Sequence, residues 1–133
     1  RYAGAKGGTY YYYACPDNEV NDFLVIETYK RYNMPPDFFT AQGFSEAQFI
    51  HAAVTKTKGN TDTETLIKAM EGLKFMTPKG EVQIRPVDHQ AMQAMYAVEY
   101  RDNPEYEWAE NVLLREIKKE EMDIPVRCKT CKK

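Results

Sequence analysis

An α/β fold is predicted by three features of the sequence. Helical periodicity recurs in several stretches separated by short β-prone runs. The helix starts carry capping residues. The stretch Pro36–Lys56, PDFFTAQGFSEAQFIHAAVTK, also reads as a strand end running through a glycine turn into a helix. In that reading Phe38 and Phe39 close a buried strand and Gln42-Gly43 make the turn. Ser45 and Gln48 are spaced as a capping box, and Phe44, Ala47, Phe49, Ile50, Ala53 and Val54 form the apolar stripe. Strand ends of this kind are where α/β proteins place ligands.

Composition bounds the problem. The chain has 133 residues, 43% of them hydrophobic and 29% charged, which suits one folded unit able to bury a core without metals or disulfides. A net charge of −2 leaves no basic footprint for nucleic acid. No apolar run reaches membrane-spanning length, and the first residues, RYAGAKGG, show neither an initiator Met nor a signal region, so the sequence is expected to be a processed or cut piece.

In chain order, residues 1–8 are small, basic and glycine-rich, and read as a loop. Thr9–Ala14, TYYYYA, reads as a strand stopped by Cys15-Pro16. A helix follows, capped by Asp17 or Asn18 and running to about Tyr32, with Val20, Phe23, Leu24, Thr28 and Tyr32 at helical steps. Asn33-Met34-Pro35-Pro36 ends it. After the unit at 36–56, Thr61 and Glu64 are spaced to start a short helix through Leu66, Ile67, Ala69, Met70 and Leu73, with Gly72 as its stop. Thr77-Pro78-Lys79-Gly80 is a turn by composition, Glu81–Arg85 alternates with Val82 and Ile84 inward, and Met95–Tyr100 is a further strand. Pro86–Gln90 is a polar connection. Residues 108–117 suit a helix or a strand, and the period does not choose between them.

Catalytic and metal signatures are sparse. GAKGG lacks phosphate-loop spacing, and neither a nucleophile elbow nor an H-E-x-x-H run occurs. Cys128 and Cys131 form a C-x-x-C in a basic tail, and Cys15, His51 and His89 lack the paired spacing of zinc ligands. Cys15 drawn with either histidine gives no dyad that the spacing supports, and Asp88-His89, as neighbours on extended chain, point to opposite sides. The expectation is therefore a protein that is not an enzyme, with no cofactor, metal or catalytic residue. Tyr10–Tyr13 either packs as a strand or lines a stacking site, and Gln42 can offer amide hydrogen bonds near a helix N-terminus that favours a carboxylate.

Taken in order, NEVNDFLVIETYKRY at Asn18–Tyr32, the N-x-P-P-D that follows it, FFTAQGFSEAQFIHAAV, and NTDTETLIKAMEGLKFMTPKGEVQIRPVDHQ resemble the last part of a type I periplasmic solute-binding protein of the branched-chain amino acid class. The similarity spans about Thr9 to Cys128. The chain departs from the family pattern at Phe44, where a tyrosine is usual. The resemblance implies the C-terminal portion of a two-lobed fold, with βα units and a few strands contributed to both lobes. It implies an extracytoplasmic, periplasmic receptor that closes on an amino acid or related small carboxylate and hands it to an ABC importer's membrane permease. Tyr13, Phe39, Gln42, Gly43 and Phe44 are the implied ligand-side residues, with the upstream portion of the same protein as a further partner. The competing reading is a ligand-sensing domain of the same fold, and a third is a small hydrolase or metal protein.

Overall fold

The computed structural model describes residues 3–122 and 124–126. Among the described residues, two antiparallel three-stranded sheets accompany three α-helices and a short 3-10 turn at Lys119–Glu121. The first sheet has the order β1-β5-β6, from β1 (Lys6–Thr9), β5 (Met95–Arg101) and β6 (Glu110–Ile117). The second is β2 (Lys74–Thr77), β3 (Gly80–Ile84) and β4 (Ala91–Met92). The helices α1 (Glu19–Tyr32), α2 (Phe38–Lys56) and α3 (Thr63–Met70) lie between β1 and β2 in the chain.

Helix α1 forms where expected. The Asn18 side chain accepts from the N–H groups of Val20 and Asn21 at 3.1 and 3.0 Å, Glu19 and Asp22 sit in the first turn, and Lys30 and Arg31 in the last. Asn33 ends it in the left-handed region, φ 55°. Helix α2 corrects the reading of residues 38–45. It is one continuous helix from Phe38, so the strand at Phe38-Phe39, the turn at Gln42-Gly43 and the cap at Ser45 do not form. The physical reason lies in Pro35-Pro36-Asp37. The prolines stop the preceding segment, and the Asp37 carboxylate accepts from the Thr40 N–H and hydroxyl at 2.8 and 2.7 Å, which starts the helix well before Ser45. Those same bonds hold the Asp37 carboxyl below the usual carboxylate range. Gly43 lowers helix propensity by about 1 kcal/mol, a penalty that the helix's packing overrides. Ser45 spends its hydroxyl on the Ala41 carbonyl at 2.7 Å.

For α3 the cap is Asp62, one residue beyond Thr61, accepting from the Thr65 N–H at 3.0 Å. Strand β2 carried no sequence signal of its own. It pairs with β3 across Thr77-Pro78-Lys79-Gly80, where Gly80 takes φ 89°. Within 108–117, left open between helix and strand, Glu110–Ile117 form β6, paired to β5 with a bulge that leaves Leu114 between the pairs Ala97–Arg115 and Val98–Leu113.

The N-terminal stretch is corrected twice. Lys6–Gly8, read as loop, form β1 together with Thr9, and the tyrosine run that follows, read as strand, is not one. Tertiary contacts override its β-propensity. Tyr11, Leu24 and Ala41 form one buried cluster, packed by Tyr10, Tyr13 and Phe44; Cys15, Tyr96 and Val98 form another, packed by Tyr12 and Tyr100. The run is the joint between the two cores. Asn21, buried on α1, fixes it by accepting the Tyr11 hydroxyl at 2.7 Å and donating to the Tyr13 carbonyl at 2.9 Å. Cys128 and Cys131 lie outside the described residues.

Candidate functional site

A cavity of about 470 Å³ lies between α2, α3 and the β2-β3-β4 sheet. Its walls are apolar, with Phe49 and Phe75 at 5.3 Å between ring centroids and Ile67, Met70, Val82 and Ile84 around them. Polar groups gather at one end. The Tyr10 hydroxyl donates to the Gln42 side-chain carbonyl, and the Gln42 amide donates to Glu46 at 2.9 Å. Gln93 lines the same end. Burial raises the Tyr10 pKa, so its hydroxyl stays a donor. The volume and the few convergent polar groups fit a small-molecule site.

Behind Tyr10 lies Lys79, only 4% exposed at the tip of the β2–β3 hairpin. Its ammonium sits 3.6 Å from the Tyr10 ring centroid, donates to Gln93 Oε1 at 3.3 Å and lies 3.9 Å from the Met95 sulfur. Burial pushes its pKa down to about 7.

The five positions named from the sequence are dispersed. Gln42 lines the cavity. Tyr13 and Phe44 are brought together on the Tyr11–Leu24–Ala41 cluster. Phe39 is 70% exposed beside Phe38, and Gly43 is exposed within α2. Phe49, Phe75, Lys79 and Gln93 were not singled out as contacts. Tyr10 belongs to the aromatic run already considered for stacking; Lys79 carried no signal, because nothing local says that a Thr-Pro-Lys-Gly tip will be buried.

Other pairings have local explanations. Asp88 is held by Arg85 through two bonds of 2.8 and 2.6 Å, while His89 reaches Glu71 at 3.2 Å, so Asp88 and His89 do not act as a couple. Cys15 is buried, its thiol pushed up to about 11 by that burial, and both histidines are exposed. Among the described residues, no group of three or more His, Cys, Asp or Glu side chains could hold a metal.

A family profile described as periplasmic binding protein matches residues 2–104, most of the chain. The chain belongs to the periplasmic binding protein family. A solved structure of an ABC-type branched-chain amino acid transporter from Rhodopseudomonas palustris is 53% identical over 92% of this chain and 33% of its own, with a TM-score of 0.89. An ABC transporter structure from the same species is 59% identical over 64% of this chain and 26% of its own, TM-score 0.59. An amino acid ABC transporter substrate-binding protein from Pseudomonas fluorescens is 27% identical over 87% of this chain and 31% of its own, TM-score 0.74. No curated protein matches. The chain spans about a third of the length of the first of these structures, and its mixed α/β architecture is part of a type I periplasmic-binding-protein fold. The family is one of solute-binding proteins rather than enzymes.

Proposed function

We propose that the protein containing this chain is the extracytoplasmic, periplasmic solute-binding component of an ABC importer, taking an amino acid or a related small carboxylate with an apolar or aromatic body and delivering it to the membrane permease. One observation carries this reading: in a member of a solute-binding family, an apolar cavity ends in the Tyr10–Gln42 hydrogen-bonded pair. Aromatic walls at Phe49 and Phe75 suit a flat or branched body. Gln42 is the contact residue named from the sequence that this supports most directly. Tyr13 and Phe44 enter as the packing behind Tyr10. Gly43 and Phe39 enter on the outer surface of α2, which the upstream portion of the protein is proposed to cover.

That cover is supported by Phe23, Ile26 and Tyr32 on α1 and Phe39 and Ile50 on α2, all more than half exposed. No chemistry on the solute is proposed. Binding and closure select a liganded state, and affinity alone does the work.

A thermal-shift panel of amino acids, their amides and aromatic acids on the intact protein tests the reading. A ligand present at a hundred times its Kd stabilises by about 2.7 kcal/mol, a shift of several degrees at most protein sizes. A flat response across the panel would sink the proposal.

A further inference from the structure

A buried ammonium ordinarily has a carboxylate beside it, since an isolated charge away from water carries a penalty of several kcal/mol. Lys79 has none within ion-pair distance among the described residues. What it has is neutral: the face of Tyr10, one amide oxygen at 3.3 Å and a thioether. An ammonium has three N–H donors, and this set satisfies one of them well. The hairpin tip that carries it is itself buried, with Thr77 1% exposed and Pro78 below 2%. Turns normally run over the surface, so this one is held inside by the fold around it. Tyr10 and Gln93 both touch Lys79 and both line the cavity.

We propose that Lys79 is the counter-charge for a ligand carboxylate seated at the Tyr10–Gln93 end of the cavity. The carboxylate takes the place of the Gln93 amide oxygen at the ammonium, and the ligand's body lies along Phe49 and Phe75. The inference deepens the solute-binding reading and rests on it. Neither the missing anion nor the shared wall is explained by packing alone, because an uncharged residue of the same length would fill the tip without the desolvation penalty.

The linkage has a definite sign. With its pKa near 7 in the unliganded state, Lys79 is largely protonated below neutral pH. A bound carboxylate favours the ammonium and raises that pKa. Binding therefore takes up a proton above pH 7, and carboxylate affinity falls as pH rises through that window. Other titratable groups surround Lys79, and the Lys79→Met control separates their slope from its own. Tyr10 and Tyr96, whose rings face the ammonium, are both raised by burial and stay neutral. Glu46 stands behind Gln42, and Glu116 of β6 acts on Tyr96. Lys79 itself lines a small cleft together with Glu81, Glu116, Lys118, Lys119 and Glu120. Glu81 there is paired with Lys74 and Lys119 and held below its usual range. His89, on the cavity wall, is engaged by Glu71.

Calorimetry on the intact protein decides the matter, using L-leucine, L-phenylalanine, and the acid–amide pairs benzoate/benzamide and phenylacetate/phenylacetamide at pH 6, 7.5 and 9. Acids are expected to bind wild type better than their amides and to weaken toward pH 9. Lys79→Met is expected to lose about 30-fold or more for acids, leave amides unchanged and remove the pH slope, while Lys79→Arg restores most of the loss. Gln93→Leu, which removes the competing acceptor and leaves the ammonium in place, is expected to tighten acid binding, and it decides the question should Lys79→Met not fold. Equal binding of acids and amides, or a pH slope that survives Lys79→Met, overturns the inference and leaves the solute-binding reading standing. Silence from every probe on wild type removes both.

Discussion

Two connections of the same small sheet treat charge in opposite ways. The β2–β3 tip, Thr77–Gly80, is buried and holds Lys79 against neutral groups. The β3–β4 connection, Arg85–Gln90, is largely at the surface and pairs its charges within itself, Arg85 gripping Asp88 with two hydrogen bonds. Both contain a residue with positive φ, Gly80 at 89° and His89 at 58°. Composition hardly distinguishes them, since each is a short polar stretch with a proline and a charge. What separates them is the neighbourhood. The tip is gripped from α1, where the Asn18 amide donates to the Pro78 carbonyl at 2.9 Å, and from the tyrosine joint through Tyr10. An ion in the connection is stabilised by its partner; the ion at the tip has no carboxylate within ion-pair distance among the described residues.

The largest separation between the two is expected in the pH dependence of stability. Lys79 has a folded-state pKa of about 7 against 10.5 when exposed, so the unfolded chain binds more protons between those values. Its penalty is fully present below pH 7 and is relieved as pH rises toward 10.5. Urea midpoints of the unliganded intact protein, measured from pH 6.5 to 9.5, should therefore contain a rising component in wild type that is absent in Lys79→Met. An identical pH profile for the two proteins would show that the tip ammonium is solvated after all.

Next in size is Asn18→Ala. It removes the α1 cap and leaves the buried Pro78 carbonyl without its donor, together about 2–3 kcal/mol. Denaturant unfolding checks this, and a loss confined to the cap's usual ~1 kcal/mol would mean the tip is not gripped from α1. Smaller again is Gly80→Ala. A Cβ there meets no atom within 4 Å, so the change tests backbone strain alone and should lower stability by about 1 kcal/mol. At the surface connection the same logic reverses: His89→Gly is expected to be neutral or to gain a few tenths of a kcal/mol, because the left-handed conformation suits glycine.

These contrasts show where the sequence was readable. Local rules found α1, the turn at 77–80, β3 and β5, since capping residues, alternation and turn composition are written within a few positions of where they act. The type I fold was legible as an order of motifs, and the family match agrees with it. The same rules failed at α2, where Gln42-Gly43 looked like a turn but Asp37 had already set the helix going, and at Tyr10–Ala14, where four β-prone rings are divided between two cores. The polar end of the cavity is assembled from residues 10, 42 and 93, with Lys79 behind it. No periodicity links those positions. Each looks ordinary alone, and only their meeting makes the candidate site.

The smallest effect expected is at the Arg85–Asp88 pair, and its sign is opposite to that of Lys79. Arg85's hydrogen bonds lower the Asp88 pKa, so the pair's contribution is present above the unfolded carboxylate pKa and lost as pH falls through the depressed folded value. Asp88→Asn keeps one acceptor for Arg85 but removes the charge, and the resulting change in thermal midpoint should be slight at neutral pH and vanish in acid. The Arg85 guanidinium also donates to the Ile124 carbonyl at 2.6 Å, which Asp88→Asn leaves intact, so Arg85→Ala should lower the midpoint further than Asp88→Asn. Equal effects of the two substitutions would assign the whole contribution to the ion pair and none to Arg85 as a clasp on the segment that follows β6.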